Sequence, residues 1–446
     1  MLTRGDGPVC VIGAGPSGLA VCKALKQAAI PFVCFEAGRS VGGIWDVEGG
    51  HGGGYRSLHT NTSKAKMAFS DFPFPEEVPL FPSHVDMLSY FNAYVDRFEL
   101  RDHIRLNSRV VSAEPTSNGR WTIRTHDETE AGDEATFSAC IVSTGQYETM
   151  RWPKPMPPGD FAGDVMHASD YLDPQTPIDC RGKRVLVVGL GASAAEIATE
   201  LAGGKDGGAI AAQTLISARS GRYVMPKYVA GVPLDSNAAH ASDELPEAAR
   251  VLPPNERLKM ARTLIGAALG SVQRNVGQPS DWGLPNPEFP PWGERPTLSD
   301  GFIPALTEGR VQTRGAIEGF DGSDVKFVDG SNDEVDVVVY ATGYELRFPF
   351  LGDEVLGREA RDLALYRRVV HPSQPNLYFV GFTRVLCSLW TLSEQQAIWL
   401  AQVLKGSFDL PEAAVQTKEA IQVSKETPVF CNLTVHELRD DARQRT

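Results

Sequence analysis

Two glycine-rich turns carry the clearest chemical signal in this sequence. The first, Gly13-Ala14-Gly15-Pro16-Ser17-Gly18, follows the apolar run Val9-Cys10-Val11-Ile12 and precedes a predicted helix that ends near Leu25. In such a turn the first glycine permits a tight bend, the second lets the backbone approach a pyrophosphate, and the third lets the helix pack on the strand. A helix N-terminus also presents free N–H groups, which favour an anion. The turn therefore predicts a dinucleotide-binding site.

The second turn repeats the pattern. Gly189-Leu190-Gly191-Ala192-Ser193-Ala194 follows the apolar run Val185-Leu186-Val187-Val188 and precedes a predicted helix that ends near Leu201. We therefore expect two dinucleotide sites in one chain.

The strand that follows each turn indicates which nucleotide binds. The predicted strand over residues 31–35 ends at Glu36, whose carboxylate suits free ribose hydroxyls and would repel a 2′-phosphate. The strand over residues 214–217 is followed instead by Arg219 and Arg222, and a guanidinium can clamp that phosphate. We therefore predict FAD at the first site and NADP at the second.

The predicted elements explain how one chain carries both sites. A buried strand ends in a Thr-Gly turn twice, at Thr144-Gly145 and at Thr342-Gly343, once before and once after the second nucleotide unit. Such a repeated strand and turn is expected at the two points where the chain enters and leaves an inserted domain. The sequence predicts an α/β fold of two Rossmann-like dinucleotide-binding domains, with the NADP domain inserted into the FAD domain. Its expected boundaries are residues 1–152 and 326–446 for the FAD domain and 153–325 for the NADP domain, with a helical insertion near 243–272.

Composition limits the class of protein. The chain has 446 residues, 42% of them hydrophobic and 22% charged, which is typical of a folded protein of more than one domain. It has 43 basic and 56 acidic residues, a net charge of −13, and no long basic run. Nucleic acid and anionic membranes are therefore poor partners. No apolar stretch approaches the roughly 18 residues of a membrane span, and the N-terminus lacks a signal-peptide pattern. We expect a cytoplasmic protein.

The cysteines and histidines indicate no metal site. The seven cysteines are scattered and form no CxxC pair, and the nine histidines show no HxH or HExxH spacing. A disulfide reductase also uses two dinucleotide folds, but it needs a nearby cysteine pair, which this sequence lacks locally.

One further segment connects these features to a known family. Residues 161–171 read Phe161-Ala162-Gly163-Asp164-Val165-Met166-His167-Ala168-Ser169-Asp170-Tyr171 and fit the signature FxGxxxHxxx(Y/F). With it, the sequence resembles the flavin-containing monooxygenases, a branch of the class B flavoprotein monooxygenases, in their soluble microbial form. Tyr171 separates it from the Baeyer–Villiger type, which usually has Trp there. Other matching segments are Gly42-Gly43-Ile44-Trp45, Thr60-Asn61-Thr62-Ser63-Lys64, Arg295-Pro296-Thr297 and Ser393-Glu394-Gln395-Gln396. The sequence departs from the family where two adjacent arginines are usual, because Ser220 follows Arg219, and in the Gly-rich run at 49–54.

The resemblance implies a mechanism and a set of residues. NADPH would reduce FAD, a flavin hydroperoxide would form with oxygen, and a nucleophilic nitrogen or sulfur would take the distal oxygen. Asn61 would then be catalytic, as a neutral amide that donates to the peroxide or to bound NADP⁺, whereas without the resemblance it reads as a turn cap. Residues expected to contact the cofactors are Gly43, Trp45, Thr62, Thr342, Gly343 and Gln396. His167 is expected to make a structural hydrogen bond that links the domains rather than to act as a base.

Three functions stay open at this stage. The first is oxygenation of a small amine or sulfide, and the second is ketone oxygenation or oxidative decarboxylation by the same intermediate. The third is a non-catalytic NADP(H)-binding redox sensor, which oxygen-dependent NADPH oxidation would exclude. The partners expected are the small-molecule substrate and molecular oxygen. The sequence names no substrate and leaves both a monomer and a homodimer open.

Overall fold

The computed structural model divides the chain into two units. Unit 1 comprises Met1–His51, Ser63–Glu148 and Leu346–Thr446, and unit 2 comprises Gly52–Thr62 and Thr149–Glu345. The residues that the structure describes are 7–49, 52–126, 132–203, 208–236, 252–291, 293–356, 363–383, 385, 388–407, 409–424 and 438.

The strands and helices are numbered here in chain order. The strands are β1 Val9–Ile12, β2 Phe32–Phe35, β3 Ile104–Arg105, β4 Arg109–Pro115, β5 Trp121–His126, β6 Gly132–Phe137, β7 Ala139–Val142, β8 Thr149–Met150, β9 Asp164–His167, β10 Arg184–Val188, β11 Gln213–Ser217, β12 Val224–Met225, β13 Tyr228–Val229, β14 Val232–Pro233, β15 Thr297–Leu298, β16 Val311–Arg314, β17 Ile317–Asp321, β18 Asp324–Phe327, β19 Asn332–Glu334, β20 Val337–Tyr340, β21 Tyr344–Glu345 and β22 Leu377–Phe379. The helices are α1 Pro16–Gln27, α2 Lys64–Met67, α3 His84–Arg97, α4 Ala192–Ala202, α5 Pro254–Val276, α6 Phe302–Thr307, α7 Asp353–Leu356, α8 Leu389–Lys405 and α9 Ala413–Ser424.

Unit 1 is built on a five-stranded parallel sheet with the order β22-β7-β1-β2-β3. Strands β1 and β7 are buried along their whole length, as the continuous apolar runs predict for a parallel sheet covered on both faces. The strands β4, β5 and β6 form a separate antiparallel sheet. Helix α3 begins with a capping box, in which Ser83 accepts from the Asp86 N–H and the Asp86 carboxylate accepts from the Ser83 N–H.

Unit 2 repeats this architecture. Its five-stranded parallel sheet has the order β16-β11-β10-β20-β9. Helix α4 packs on this sheet through an almost wholly buried apolar face. Helix α5 spans Pro254–Val276, so the predicted helical segment 243–272 is helical from residue 254 onward, and residues 243–251 lie outside the described residues. Within this helix Ile265 is buried and Leu264 is 36% exposed.

The chain crosses between the units at positions that differ from the expected ones. Strand β20 pairs with β10, so it belongs to the sheet of unit 2 and not to a second part of the first domain. The return crossing therefore follows Glu345 rather than residue 325. The two crossing strands β8 and β21 pair antiparallel, with Met150 opposite Tyr344. The paired residues are almost 200 positions apart in the sequence, so a local sequence pattern near either strand does not reveal the pairing.

One ion pair joins neighbouring strands of unit 2 and gives the fold a pH dependence. The carboxylate of Asp336 accepts from the Arg184 backbone N–H at 2.7 Å and from its guanidinium at 2.6 and 3.0 Å. Hydrogen bonding from Arg184 lowers the pKa of Asp336 to about 2. Because an unfolded aspartate titrates near pH 3.9, this contribution to stability is complete above about pH 4 and is lost as the pH falls toward 2.

We predict that Asp336→Asn lowers the free energy of unfolding at pH 7, and that the difference from wild type narrows below about pH 4. Urea unfolding across a pH series measures this. Asp179→Asn is the matched control, because Asp179 forms an exposed pair with Arg181 two residues away, and such local pairs contribute little. An Asp336→Asn difference that stays constant down to pH 2 would contradict the assignment.

Candidate functional site

The first glycine turn has the geometry expected of a pyrophosphate site. Gly13 has φ 100°, and a Cβ there would lie 2.7 Å from the Ser143 carbonyl oxygen. A Cβ at Gly18 would lie 1.9 Å from the Gly13 carbonyl oxygen, so only glycine lets α1 pack this closely. At Gly15 the nearest atom to such a Cβ is the Gly43 Cα, at 3.8 Å. The structure therefore brings Gly15 and Gly43 together without filling the space beside Gly15, which suits a ligand that approaches the backbone.

The N-terminus of α1 is not capped by a side chain. Gly15 is the N-cap residue, Pro16 occupies the first turn, and the Ser17 hydroxyl lies 2.9 Å from the Ser393 hydroxyl. The first-turn N–H groups are consequently left for an anion.

Glu36 lies at the end of β2 beside this turn and is 6% exposed. One carboxylate oxygen accepts from the Ala14 N–H at 2.6 Å and the other from the Gly38 N–H at 2.8 Å. These bonds fix the orientation of the carboxylate. Each carboxylate oxygen has a further lone pair that can accept from a ribose hydroxyl.

Trp45 and Gln396 are both buried. Trp45 is 7% exposed and packs edge-on against Trp390, with ring centroids 5.8 Å apart. The Gln396 amide accepts from the Gly381 N–H at 3.4 Å and donates to the Arg368 carbonyl at 3.2 Å. A Cβ at Gly381 would lie 2.2 Å from the Ser17 hydroxyl. The described contacts of Gln396 thus hold the Gly381 loop against the start of α1.

The second turn has the same construction in unit 2. Gly189 has φ 131°, and a Cβ there would lie 2.4 Å from the Ala341 carbonyl oxygen. Gly191 caps α4 without a side-chain hydrogen bond, and a Cβ at Gly191 would meet nothing within 4 Å. Ser193 lies in the first helical turn and is partly buried, and Ala194 stands fully buried where the first turn has its third glycine.

A Thr-Gly turn lies beside each glycine turn. Ser143, next to Thr144-Gly145, contacts the first turn, and Ala341, next to Thr342-Gly343, contacts the second. The Thr342 hydroxyl donates to the Arg151 carbonyl, and the Arg151 N–H donates to the Gly343 carbonyl at 2.9 Å. A Cβ at Gly343 would meet nothing within 4 Å, so this turn leaves space beside the second nucleotide turn.

The two arginines after β11 differ in their surroundings. Arg222 donates to the Glu294 carboxylate at 3.0 Å and to the Arg295 carbonyl at 3.1 Å. Arg219 is exposed and makes no ion pair or hydrogen bond with any residue that the structure describes. A guanidinium without a protein partner is free to bind a phosphate. Arg219 therefore fits a 2′-phosphate better than Arg222 does.

The segment Gly52–Thr62 carries Asn61 and belongs to unit 2. The Asn61 Oδ1 and the Thr60 hydroxyl are buried, and neither has a hydrogen-bond partner among the described residues. Thr62 is partly buried. Leaving a buried polar group unsatisfied costs about 1–3 kcal/mol, so these atoms fit a site that is completed by a ligand with hydrogen-bonding groups.

His167 is fully buried, and its Nδ1 accepts from the Ser169 N–H at 3.1 Å. Burial lowers the pKa of His167, so the imidazole is neutral at pH 7. Tyr171, at the end of the same signature, donates to the Glu200 carboxylate at 2.9 Å. The hydrogen bonds described for the signature are thus structural ones within unit 2.

The sequence did not indicate a buried polar cluster on α4. The Tyr55 hydroxyl donates to Glu196 at 2.6 Å, and the Lys227 ammonium lies 3.1 Å from the other oxygen of that carboxylate. The available signal was the spacing of Glu196 and Glu200. These two acids are four residues apart on an otherwise apolar helix, and therefore lie on one face.

The part of the chain that the structure describes contains no group of three or more histidine, cysteine, aspartate or glutamate side chains able to hold a metal ion. Within the same residues, no helix is long and apolar enough to cross a membrane.

Comparison with known proteins identifies the family of this chain. Residues 7–442 match the sequence model of the flavin-binding monooxygenase-like family. The dimethylaniline monooxygenase (N-oxide-forming) 2 of Mus musculus is 31% identical over 428 residues, which is 93% of this chain and 76% of that protein.

Solved structures agree on the fold. The S-allyl-L-cysteine S-oxygenase from Allium sativum has a TM-score of 0.63 at 23% identity, covering 94% of this chain and 80% of that one. OTEMO in complex with FAD and NADP has a TM-score of 0.71 at 18% identity, covering 98% and 97%. The predicted fold class and flavin-enzyme assignment are confirmed. The chain belongs to the flavin-binding monooxygenase-like family.

Proposed function

We propose that this enzyme uses NADPH and oxygen, with FAD bound, to transfer one oxygen atom to a soft nucleophilic nitrogen or sulfur of a small molecule. The second oxygen atom leaves as water, and the product is an N-oxide or an S-oxide. The observation that carries the proposal is the contrast between the two nucleotide turns. One is followed by the buried carboxylate of Glu36 and the other by the guanidinium of Arg219, which has no partner among the described residues.

In unit 1 the chain binds and orients FAD, which when bound supplies the redox chemistry with NADPH and oxygen. The uncapped start of α1 holds the pyrophosphate, and Gly15 and Gly43 leave room for it. Glu36, fixed by two backbone N–H groups, accepts from the ribose hydroxyls.

In unit 2 the chain binds NADPH. Arg219 holds the 2′-phosphate, and the uncapped start of α4 holds the pyrophosphate. The open side of Gly343 and the neighbouring Thr342 lie beside the same turn. The neutral amide of Asn61 can donate hydrogen bonds to, and accept them from, activated oxygen or NADP⁺. Because the amide has no acidic proton, it does not promote the release of activated oxygen as hydrogen peroxide.

Two observations favour nitrogen or sulfur over a ketone as the oxygen acceptor. The relative at 31% identity is named for N-oxide formation, and the signature ends in Tyr171 rather than Trp. Ketone oxygenation or oxidative decarboxylation is the second candidate, because both use the same cofactor residues.

A screen of NADPH consumption with amines, sulfides and ketones tests the proposal. Product identification and a hydrogen peroxide assay accompany each reaction. An N-oxide or S-oxide supports the proposal, whereas an ester or a decarboxylated acid supports the second candidate. Absence of oxygen-dependent NADPH oxidation would contradict both candidates and support a non-catalytic NADP(H)-binding redox sensor.

A cytoplasmic location is part of the same proposal. Five cysteines, Cys10, Cys22, Cys34, Cys140 and Cys180, are buried free thiols. Free thiols are typical of a reducing compartment.

We predict that Gly15→Val abolishes stoichiometric FAD binding, because its side chain would occupy the pyrophosphate space. Flavin absorbance per chain after purification measures this. Gly191→Val is the matched control. It alters the second turn, where a Cβ meets no protein atom, and should keep the FAD while weakening NADPH binding. Wild-type FAD content in Gly15→Val would show that the first site is misplaced.

We predict that Arg219→Ala narrows the preference for NADPH over NADH. A charge-assisted contact to the 2′-phosphate contributes about 1.5–3 kcal/mol, or roughly ten- to a hundredfold in the ratio of kcat/KM values. Arg222→Ala should change this ratio less, because Glu294 already binds that guanidinium. An unchanged ratio in Arg219→Ala together with a large change in Arg222→Ala would reverse the assignment.

We predict that Asn61→Ala separates flavin reduction from oxygenation. Hydride transfer precedes the step in which the amide acts, so anaerobic flavin reduction by NADPH should stay near the wild-type rate. Loss of one preorganised donor costs about 2.7–4 kcal/mol, so oxygenation should fall roughly a hundred- to a thousandfold while hydrogen peroxide accounts for most of the NADPH consumed.

Asn61→Asp sharpens this test, because it keeps the size of the side chain but has no N–H to donate. It should lose coupling as Asn61→Ala does. Full coupling in both variants would make Asn61 structural, with Thr62 the next residue to test.

A further inference from the structure

The segment Gly52–Thr62 is the only part of the chain between residues 1 and 148 that is assigned to unit 2. Unit 1 precedes and follows it directly in sequence. No helix or named strand is assigned within it among the described residues, so contacts to other parts of unit 2 must hold it in place.

Backbone contacts hold one side of the segment. The Gly53 N–H donates to the Ser169 carbonyl at 3.3 Å, and the Arg56 N–H donates to the Leu172 carbonyl at 2.8 Å. The Arg56 guanidinium also pairs with Asp173. These contacts attach the segment to the chain that leaves β9.

Tyr55 attaches the segment to a second element, α4. Its side chain is 2% exposed, and its hydroxyl donates to Glu196 at 2.6 Å. The other Glu196 oxygen lies 3.1 Å from the Lys227 ammonium, and the side chains of Glu196 and Lys227 are 15% and 10% exposed. Lys227 therefore fixes the acceptor that Tyr55 uses. Burial raises the pKa of Tyr55 well above its usual range, so its hydroxyl stays protonated and remains a donor.

Tyr171 makes a parallel contact one helical turn further along α4. Its hydroxyl donates to Glu200 at 2.9 Å, and its ring meets the Tyr55 ring edge-on with centroids 6.5 Å apart. This hydrogen bond attaches the chain after β9 to α4 directly, and it reaches the segment that carries Asn61 through the Arg56–Leu172 backbone contact. The two tyrosines thus offer the same chemical group on the same helix with different attachments.

Helix α4 begins at the turn Gly189–Gly191, and Asn61 lies six residues after Tyr55. Resting on the proposed function, we infer that Tyr55 is a positioning residue, whose hydrogen bond to Glu196 fixes the segment of Asn61 to the helix that receives the NADP pyrophosphate. By linkage, a nucleotide that orders the start of α4 also orders the segment. The buried Tyr55 ring acts through this attachment and needs no contact with the substrate.

Tyr55→Phe tests the inference, since it removes only the hydroxyl. Hydrogen exchange is followed by mass spectrometry in peptides covering 52–62 and 189–202, with and without NADP⁺. Within the segment, the amides of Gly53, Arg56 and Leu58 donate backbone hydrogen bonds to described residues. In nucleotide-free protein, Tyr55→Phe should speed exchange in 52–62 roughly three- to tenfold, as expected for the loss of one hydrogen bond, and leave 189–202 near wild type.

With NADP⁺, wild type should show slower exchange in both peptides. In Tyr55→Phe the slowing should persist in 189–202 and be lost in 52–62. Turnover should show the same separation, with anaerobic flavin reduction near wild type and product formed per NADPH lowered roughly three- to tenfold.

Tyr171→Phe is the matched control and should keep both the NADP⁺ protection of 52–62 and the coupling. If Tyr55→Phe cannot be purified folded, Glu196 supplies the same test. Glu196→Ala should reproduce the loss, whereas Glu196→Gln, which keeps an acceptor for Tyr55, should not.

Wild-type exchange and coupling in Tyr55→Phe, or equal losses in Tyr55→Phe and Tyr171→Phe, would overturn the inference. Failure of the proposed function looks different. Wild type would then show no NADP⁺ protection in 189–202 or no oxygen-dependent NADPH oxidation, while the nucleotide-free exchange of Tyr55→Phe would still decide whether Tyr55 holds the segment.

Discussion

Both nucleotide turns depend on one close approach, in which a carbonyl from a neighbouring strand end occupies the space where a side chain would begin. The Ser143 carbonyl takes this position against Gly13, and the Ala341 carbonyl takes it against Gly189. A Cβ at either glycine would force the two strand ends apart, and the positive φ angles exclude most other residues. The approach lets β7 lie directly beside β1, and β20 beside β10, up to the edge where we propose that the nucleotide binds. In each unit the Thr-Gly turn comes directly after the residue whose carbonyl makes this close approach.

The two sites differ in charge although they share this backbone. In unit 1 a buried carboxylate is fixed by two N–H groups, and in unit 2 an exposed guanidinium is left without a described partner. A buried carboxylate repels a nearby phosphate, whereas a free arginine attracts one. Glu294 binds Arg222, so of the two arginines after β11 Arg219 is the one that we propose for the phosphate. We propose that this difference in charge gives the two turns, which share one backbone construction, different nucleotide preferences.

Local sequence patterns predicted the parts of the structure that are themselves local. The strand, turn and helix around Gly13 and around Gly189 follow from residues that are adjacent in the chain, and the family match confirms the fold class they indicate. The pairing of β20 with β10 and the attachment of Tyr55 to Glu196 join residues far apart in sequence. No periodicity encodes such partners. The same reason explains Arg222, because its sequence position suggests a phosphate ligand and only the fold shows that Glu294 reaches it.

The paired crossing strands bear on how such enzymes can be recombined. Since Met150 lies opposite Tyr344, the insert of unit 2 enters and leaves at neighbouring points, and these two points alone would give a chimaera with two junctions. Two junctions are too few, because the segment Gly52–Thr62 also belongs to unit 2 and lies outside residues 149–345. A graft of residues 149–345 from a relative would place the recipient's Tyr55 and Arg56 against a foreign helix and a foreign loop. A functional exchange of the nucleotide unit therefore requires a third piece of chain, taken from the same donor and carrying Asn61 with it.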